Sequence, residues 1–232
     1  MSLRIPSNPE PTDFLYPFID SGPVEADRLM ADLAASATAK MAQSAKLRRD
    51  TVRLLSEHVE IVARAVAVRV RTGGHVFTMG NGGSSTDADA FADLLSAPPW
   101  GKPFPARSLV ADRAVLSALA NDVGYDLVFS RQVIAYAKAP DVLVGFSTSG
   151  NSPNLMRAFA EARRRDVLTV GLAGYQGGDM AGSPDVDHCL LVSSDSVHRV
   201  QEVQAAVGLE LWRRLQGELG GVAHSTSSTG AK

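Results

Sequence analysis

Hydrophobic and polar positions alternate along this chain in a pattern that predicts an α/β protein. Five short runs rich in branched apolar residues have strand length, and helical stretches separate them. Such an alternation of strands and helices predicts a parallel sheet with helices on both faces. The predicted strands are residues 75–79, 106–110, 142–146, 168–172 and 188–192, and the predicted helices are residues 87–96, 113–120, 128–137, 153–165, 178–182 and 197–215.

Two long helices without proline are predicted before the first strand, over residues 26–45 and 48–71. In each, apolar residues recur at every fourth position, which is typical of a helix with one buried face. Small residues on these faces allow close helix packing, either within one subunit or between subunits. The repeating positions are Leu29, Leu33 and Ala37 in the first helix, and Val59, Ala63 and Ala67 in the second.

The two ends of the chain differ in composition from the middle. Residues 1–24 contain five prolines, which deny regular helix and sheet, so we predict a proline-rich arm there. Residues 217–232 are rich in Gly, Ser and Thr, and we predict a disordered tail. Residues 25–216 between them form the predicted domain.

Composition and charge argue against a nucleic-acid-binding protein and against a membrane protein. The formal net charge of −2 over 232 residues provides no electrostatic footprint for direct nucleic-acid binding. The sequence has neither a signal-peptide pattern nor an apolar run of membrane-spanning length, so we expect a cytoplasmic protein without membrane contact. The single cysteine, Cys189, lies in a predicted strand and is expected to be a small core residue.

The clearest chemical signal is the hydroxyl-rich turn that follows the third predicted strand. Ser147, Thr148, Ser149 and Ser152 surround the start of a helix, where unpaired backbone N–H groups and the helix dipole favour an anion. Gly150 allows a close backbone approach. The turn is interpreted as a phosphate cradle, and an ordinary helix-capping turn is the alternative.

A second loop of the same kind follows the first predicted strand. Residues 80–86 read Gly-Asn-Gly-Gly-Ser-Ser-Thr. The third glycine of a dinucleotide-binding loop is replaced by Ser85, and no Gly-Lys-Ser/Thr of an ATP-binding loop follows. Because both loops lie at carboxyl ends of parallel strands, where open α/β sheets bind ligands, the sequence predicts a sugar-phosphate site.

Together these residues resemble the sugar isomerase (SIS) family, in its phosphoheptose isomerase branch, which converts sedoheptulose 7-phosphate to a heptose phosphate. Four motifs match in order, at residues 80–84, 120–122, 141–152 and 199–202, within a similarity that runs from about residue 26 to 215. The resemblance implies a doubly wound, flavodoxin-like sheet of five parallel strands, and a homodimer or homotetramer built through the N-terminal helices. It implies ligand contacts at Asn81, Gly82, Gly83, Ser84, Asn121, Asp122, Ser147, Thr148, Ser149, Ser152 and Gln201.

The departures from the family concern its metal and its proton transfer. Where the family has a His and, four residues on, a Glu, this chain has Ala90 and Leu94; Gln201 is present, but the family's second His is Leu209. In the family these are metal ligands, and the Glu and second His move the protons. Isomerisation needs an acid, a base and stabilisation of an enediolate, which apolar side chains do not supply. We therefore expect no retained zinc site, because Gln201 alone does not hold a metal.

Two other groups are weak substitutes for the missing acid and base. Asp87 shares a helix face with Leu94, and His198 precedes Gln201 by three residues. The alternatives are a carboxylate at a helix N-terminus and a solvent-facing imidazole. Three functions follow as hypotheses: a phosphosugar-binding protein without the usual chemistry, an active phosphoheptose isomerase, and a regulatory protein like the family's replication-initiator-associating member.

Overall fold

A computed structural model of the protein describes residues 26–220, with side chains from residue 29 onward. The predicted arm at 1–24 and the predicted tail beyond residue 220 lie outside the described residues. Contacts divide the chain into two compact units after Gln43. The helices are α1 (Ala26–Leu54), α2 (Ser56–Arg71), α3 (Gly83–Ser96), α4 (Arg113–Val123), α5 (Val128–Tyr136), α6 (Pro153–Arg164), α7 (Gly178–Gly182) and α8 (Val197–Glu218), with a 3-10 turn at Tyr125–Leu127. The strands are β1 (Val76–Gly80), β2 (Ala106–Ser108), β3 (Val142–Ser147), β4 (Leu168–Gly174) and β5 (His188–Val192).

The five strands form one parallel sheet in the order β2-β1-β3-β4-β5, which confirms the predicted doubly wound, flavodoxin-like fold. Gly80 is paired with Phe146, and Ser147 with Ala173. The ends of β1, β3 and β4 therefore meet at one edge of the sheet, and the loops that follow them are neighbours.

Two hydrophobic clusters cover the two faces of this sheet. One holds side chains of α2, α3 and α8, among them Phe91 and Trp212. The other holds side chains of α5 and α6, among them Phe129 and Phe159. The three central strands are buried along their whole length, as parallel strands covered by helices on both sides must be.

The predicted boundary between the first two helices is wrong. The break falls at Leu55 instead of residues 46–47, because Leu55 is buried and accepts a hydrogen bond from Val59 N at 2.8 Å while its own N–H donates to Thr51. The face of α2 that carries Val59, Ala63 and Ala67 is buried within this chain. Leu29, Leu33 and Ala37 of α1 are exposed.

The start of α3 and the end of α8 also differ from the prediction, as do the ends of α4, α5 and α6 by one to three residues. Helix α3 begins at Gly83 instead of residue 87, because Ser84 and Ser85 donate backbone hydrogen bonds to Asn81 and Gly82 and so complete a first turn inside the glycine-rich loop. Helix α8 continues to Glu218, two residues into the predicted tail, and Arg71 donates to the carbonyl of Glu218. Over residues 26–220, no helix combines the length and the apolar character needed to cross a bilayer.

Candidate functional site

A reciprocal amide pair joins the first loop to the helix after the second. Asn81 Nδ2 donates to Asn154 Oδ1 and Asn154 Nδ2 donates to Asn81 Oδ1, both at 2.9 Å. The hydroxyl of Tyr125 donates to the same Asn81 oxygen at 2.9 Å. Asn154 is buried; its Oδ1 also accepts from Leu155 N at 3.0 Å, so it is its Nδ2 that depends on Asn81. The pair fixes the loop after β1 against the N-terminus of α6.

The hydroxyl-rich turn after β3 is held by its own side chains. Ser147 Oγ lies 3.2 Å from Ser152 Oγ and accepts a hydrogen bond from Gly150 N at 3.0 Å. Ser149 Oγ accepts from Asn151 N at 3.2 Å. Ser147 is buried and shapes the turn, whereas Thr148 and Ser152 are only partly buried. The hydroxyls of Ser147 and Ser152 thus lie together before the N-terminus of α6, the kind of place that anions occupy in proteins.

The loop after β4 packs directly against this turn. Gly150 has φ +69°, and a Cβ there would overlap the carbonyl oxygen of Gly177. The carbonyl oxygen of Gly150 accepts a hydrogen bond from Met180 N at 3.0 Å, and Asn151 Oδ1 accepts from Asp179 N at 2.8 Å. A glycine is required at residue 150 because both its φ and its neighbour exclude a side chain.

Two glutamines of α8 approach the same loops. The side chain of Gln201 lies against Gly83, where a Cβ would overlap its amide. Gln204 is fully buried, and its Nε2 donates to the carbonyls of Ser147 at 3.2 Å and Leu172 at 3.0 Å. Helix α8 therefore contacts the start of α3 and the ends of β3 and β4.

Beside the loops lies a small cavity between α3, β3 and α8, with a volume of about 90 Å³. The three positions at which this chain departs from the family motif, Ala90, Leu94 and Leu209, all line it. The full lining is Asp87, Ala90, Phe91, Leu94, Phe146, Ala205, Gly208 and Leu209.

Asp87 provides the one polar side chain of this lining. Its Oδ2 is buried, and within the described residues it has no hydrogen-bond partner. Burial raises the pKa of the Asp87 carboxyl above its ordinary value, because the ionised form loses hydration there. His198, the other weak substitute, is exposed in the first turn of α8 and is not part of the lining.

These residues do not fit the zinc ion that the resemblance implies for the family. Structural and catalytic zinc sites take three or four nitrogen, sulfur or oxygen ligands at one point, and the cavity offers one carboxylate. Across residues 26–220, no three His, Cys, Asp or Glu side chains form a group that suits a metal ion.

Asn121 and Asp122 stand apart from the other residues named in the sequence. Both are exposed near the end of α4, and Asn121 Nδ2 donates to Asp122 Oδ1 at 2.9 Å. In the described part of the chain, no hydrogen bond joins either residue to the two loops. Sequence reasoning missed Tyr125, Asn154 and Gln204; of these, only Asn154 carried a signal, as a polar residue in the first turn of the helix after the hydroxyl-rich turn.

The chain is similar to known proteins over most of its length. The SIS domain family matches residues 41–174. The phosphoheptose isomerase of Solidesulfovibrio magneticus is 43% identical over 165 residues, which cover 67% of this chain and 78% of that protein. The phosphoheptose isomerase of Burkholderia pseudomallei is 37% identical over 193 residues, 82% of this chain and 89% of that protein. The structure of the phosphoheptose isomerase of Neisseria gonorrhoeae superposes with a TM-score of 0.74 at 32% identity, over 80% of this chain and 99% of that chain.

Proposed function

Because this chain belongs to the SIS domain family, in its phosphoheptose isomerase branch, we propose that it binds a sugar phosphate and lacks the metal-dependent isomerisation of that branch. The observation that carries the proposal is the convergence of Ala90, Leu94 and Leu209 on one cavity. The resemblance implies a metal-binding His at residue 90, a metal-binding Glu that also transfers protons at residue 94, and a proton-transferring His at residue 209. The same place here is lined by methyl, isobutyl and phenyl groups and by the single carboxyl of Asp87.

The reaction requirements support this reading. Moving a proton between adjacent carbons needs a base within hydrogen-bond reach, an acid, and a positive group or metal to stabilise the enediolate. Asp87 is one carboxyl, and His198 does not line the cavity with it. The cavity therefore offers a single carboxyl that can act as the base or as the acid, and it offers no group that stabilises the enediolate.

The turn at residues 147–152 supports the proposal that the ligand carries a phosphate. The hydroxyls of Ser147 and Ser152 lie together there, at the N-terminal end of α6, where the helix dipole favours an anion. Asn81, whose Nδ2 uses one of its two N–H groups on Asn154, and Gly83 at the start of α3 are the neighbouring donors proposed for sugar hydroxyls.

The second candidate is an active phosphoheptose isomerase. It is favoured by the names of relatives that are 37–43% identical to this chain, and by Asp87, whose raised pKa suits a general base or acid better than that of an ordinary aspartate.

Two measurements test the proposal. Calorimetry with sedoheptulose 7-phosphate and with unphosphorylated sedoheptulose is expected to give binding for the phosphate alone; equal affinities would refute a phosphate cradle. NMR of sedoheptulose 7-phosphate in D₂O, with and without added zinc, is expected to show no deuterium entering the sugar. Incorporation at enzyme-like rates would establish the isomerase instead.

The proposal includes a homo-oligomer, either a dimer or a tetramer. Large apolar side chains along α1 are exposed, with Met30 at 65% and Met41 at 71% of their full accessible surface. Several exposed large apolar side chains on one helix are typical of an interface between copies. Light scattering at micromolar concentration is expected to give a multiple of 24.5 kDa, and a mass of one chain would refute the assembly.

A further inference from the structure

A groove between the end of α1 and the middle of α8 is lined by arginines. Its volume is about 470 Å³, within the range of roughly 300–1,000 Å³ that is typical of small-molecule sites. All of its lining residues belong to the compact unit that begins at Ser44. We call this region the arginine groove, after Arg48, Arg49, Arg53, Arg213 and Arg214.

The two arginines of α8 are already paired. The side chain of Arg214 is 22% exposed, and its guanidinium donates to Ser56 O at 2.7 Å, to Ser56 Oγ at 2.8 Å and to Glu60 at 3.2 Å. Glu210, the one acidic residue of the lining, accepts from Arg214 at 2.8 Å and from Arg213 at 3.4 Å. These contacts fix α8 against the start of α2 and neutralise the carboxylate in the groove.

The arginines of α1 are not matched in this way. In the described part of the chain, neither Arg48 nor Arg49 takes part in a hydrogen bond or an ion pair. Arg53 lies 3.8 Å from Asp50, a carboxylate that Lys46 already holds at 2.6 Å. Arg49 and Arg53 are four residues apart on one helix, a spacing at which like charges destabilise the helix. This face of α1 therefore has positive charge to spare, and a bound anion would balance it.

Apolar side chains lie in the same lining. Val52 on α1 and Ala206 and Leu209 on α8 line the groove, and Leu209 is 47% exposed. An inorganic anion leaves this apolar surface in water, whereas an organic anion covers it. Guanidinium groups bind phosphate oxygens through paired N–H donors, and they also stack on aromatic rings. The lining therefore suits a ligand with several phosphate charges and an apolar or aromatic part.

We propose that the arginine groove binds an organic polyphosphate of the nucleoside diphosphate type. Its phosphates are bound by Arg48, Arg49 and Arg53. Its ring lies against Val52 and Leu209. The site does not use the hydroxyl-rich turn, so the proposal does not rest on sugar-phosphate binding.

Calorimetry of the full chain with ADP, adenosine and inorganic pyrophosphate tests the proposal. ADP is expected to bind, and adenosine, which lacks phosphate, is expected not to bind. Pyrophosphate is expected to bind about tenfold more weakly than ADP or worse, because it covers none of the apolar lining. A failure of ADP to bind, or equal affinities for ADP and pyrophosphate, would overturn the proposal.

Paired variants assign the binding to the arginine groove. Arg48→Gln together with Arg49→Gln is expected to weaken ADP binding about tenfold or more, through the loss of charge-assisted hydrogen bonds. Arg113→Gln together with Arg131→Gln is the matched control, since it removes the same charge at two exposed positions outside the groove. The control is expected to keep the wild-type affinity. If the first pair does not fold, Arg53→Gln gives the same test from a side chain that is 85% exposed.

The proposed function places a phosphate at the hydroxyl-rich turn as well, so a variant of that turn separates the two places. Ser152→Ala is expected to leave the affinity for ADP unchanged. ADP binding that Ser152→Ala weakens and the Arg48, Arg49 pair does not would move the ligand to the turn and overturn the proposal. Equal losses in the Arg48, Arg49 pair and in the control pair would overturn it too.

Discussion

Asn81 and Asn154 bind each other through both halves of their amide groups, with two hydrogen bonds of 2.9 Å. The first residue belongs to the loop after β1 and the second to the first turn of α6. Because Asn154 is 2% exposed, neither water nor another residue replaces this partner easily. The two halves of the candidate site are thus joined by one pair of side chains.

Asn154→Ala is expected to lower the free energy of unfolding by roughly 1–3 kcal/mol, because it leaves Asn81 Nδ2 without its acceptor and Asn81 Oδ1 with Tyr125 alone. Urea denaturation measures the change. The control is Asn121→Ala, which removes an exposed amide bonded to Asp122 and is expected to stay within about 0.5 kcal/mol of the wild type. Equal losses in the two variants would contradict the structural role of the pair.

The triple variant Ala90→His, Leu94→Glu, Leu209→His is expected to bind one zinc ion per chain together with Gln201. The three positions already line one cavity, and the substitutions raise its ligand set to the number that zinc requires. Elemental analysis of protein purified without chelator measures the bound metal. Adding Gln201→Ala to the triple variant is expected to weaken retention, and zinc retained by the wild type to the same extent would contradict the argument.

Gly150→Ala is expected to destabilise the fold by about 1–3 kcal/mol and to weaken sugar-phosphate binding. Its φ of +69° and the adjacent carbonyl of Gly177 both exclude a methyl group. Gly182→Ala is the matched control, since a Cβ at the end of α7 meets nothing within 4 Å. Thermal unfolding of the two variants separates the strained position from the open one.

Stability is expected to fall as the pH is lowered below about 6.5. Burial, and the neighbouring ring of His58 at 5.6 Å, lower the pKa of His188 below its ordinary 6.5, while Asp187 opposes the shift. In that range the unfolded chain takes up a proton more readily than the folded one, so acid favours unfolding until the lowered pKa is reached.

His188→Gln removes this linkage and is expected to flatten the pH dependence of the urea midpoint between about pH 5 and 7. His198→Gln, at an exposed position, is the control and is expected to leave the slope unchanged. If the urea midpoint of His188→Gln depends on pH as strongly as that of the wild type, other groups cause the acid sensitivity.

The thiol of Cys189 is expected to resist alkylation in the folded protein. Burial raises its pKa to about 11, so the reactive thiolate is scarce at pH 8. Mass spectrometry after iodoacetamide treatment is expected to show unmodified protein under native conditions and one adduct after unfolding in urea. Rapid native labelling would contradict the burial.

The local pattern of apolar and turn residues was sufficient to predict the order of helices and strands and the parallel sheet. The strand over residues 188–192 and the helix over 178–182 have the predicted bounds, because apolar runs and turn residues determine such segments locally. Helix α3 was predicted to begin four residues late, since a glycine-rich loop has low helix propensity. Backbone hydrogen bonds from Ser84 and Ser85 close its first turn nonetheless.

The amino-acid sequence by itself determined the parallel α/β fold, the polar loops after β1 and β3, and the apolar side chains at residues 90, 94 and 209. Only the tertiary structure decided that these three positions surround one cavity beside the hydroxyl-rich turn, and that Asn154, Tyr125 and Gln204 hold the loops in place. The reason is physical. Strand and helix periods are properties of neighbouring residues, whereas a cavity and a reciprocal amide pair depend on packing between elements far apart along the chain.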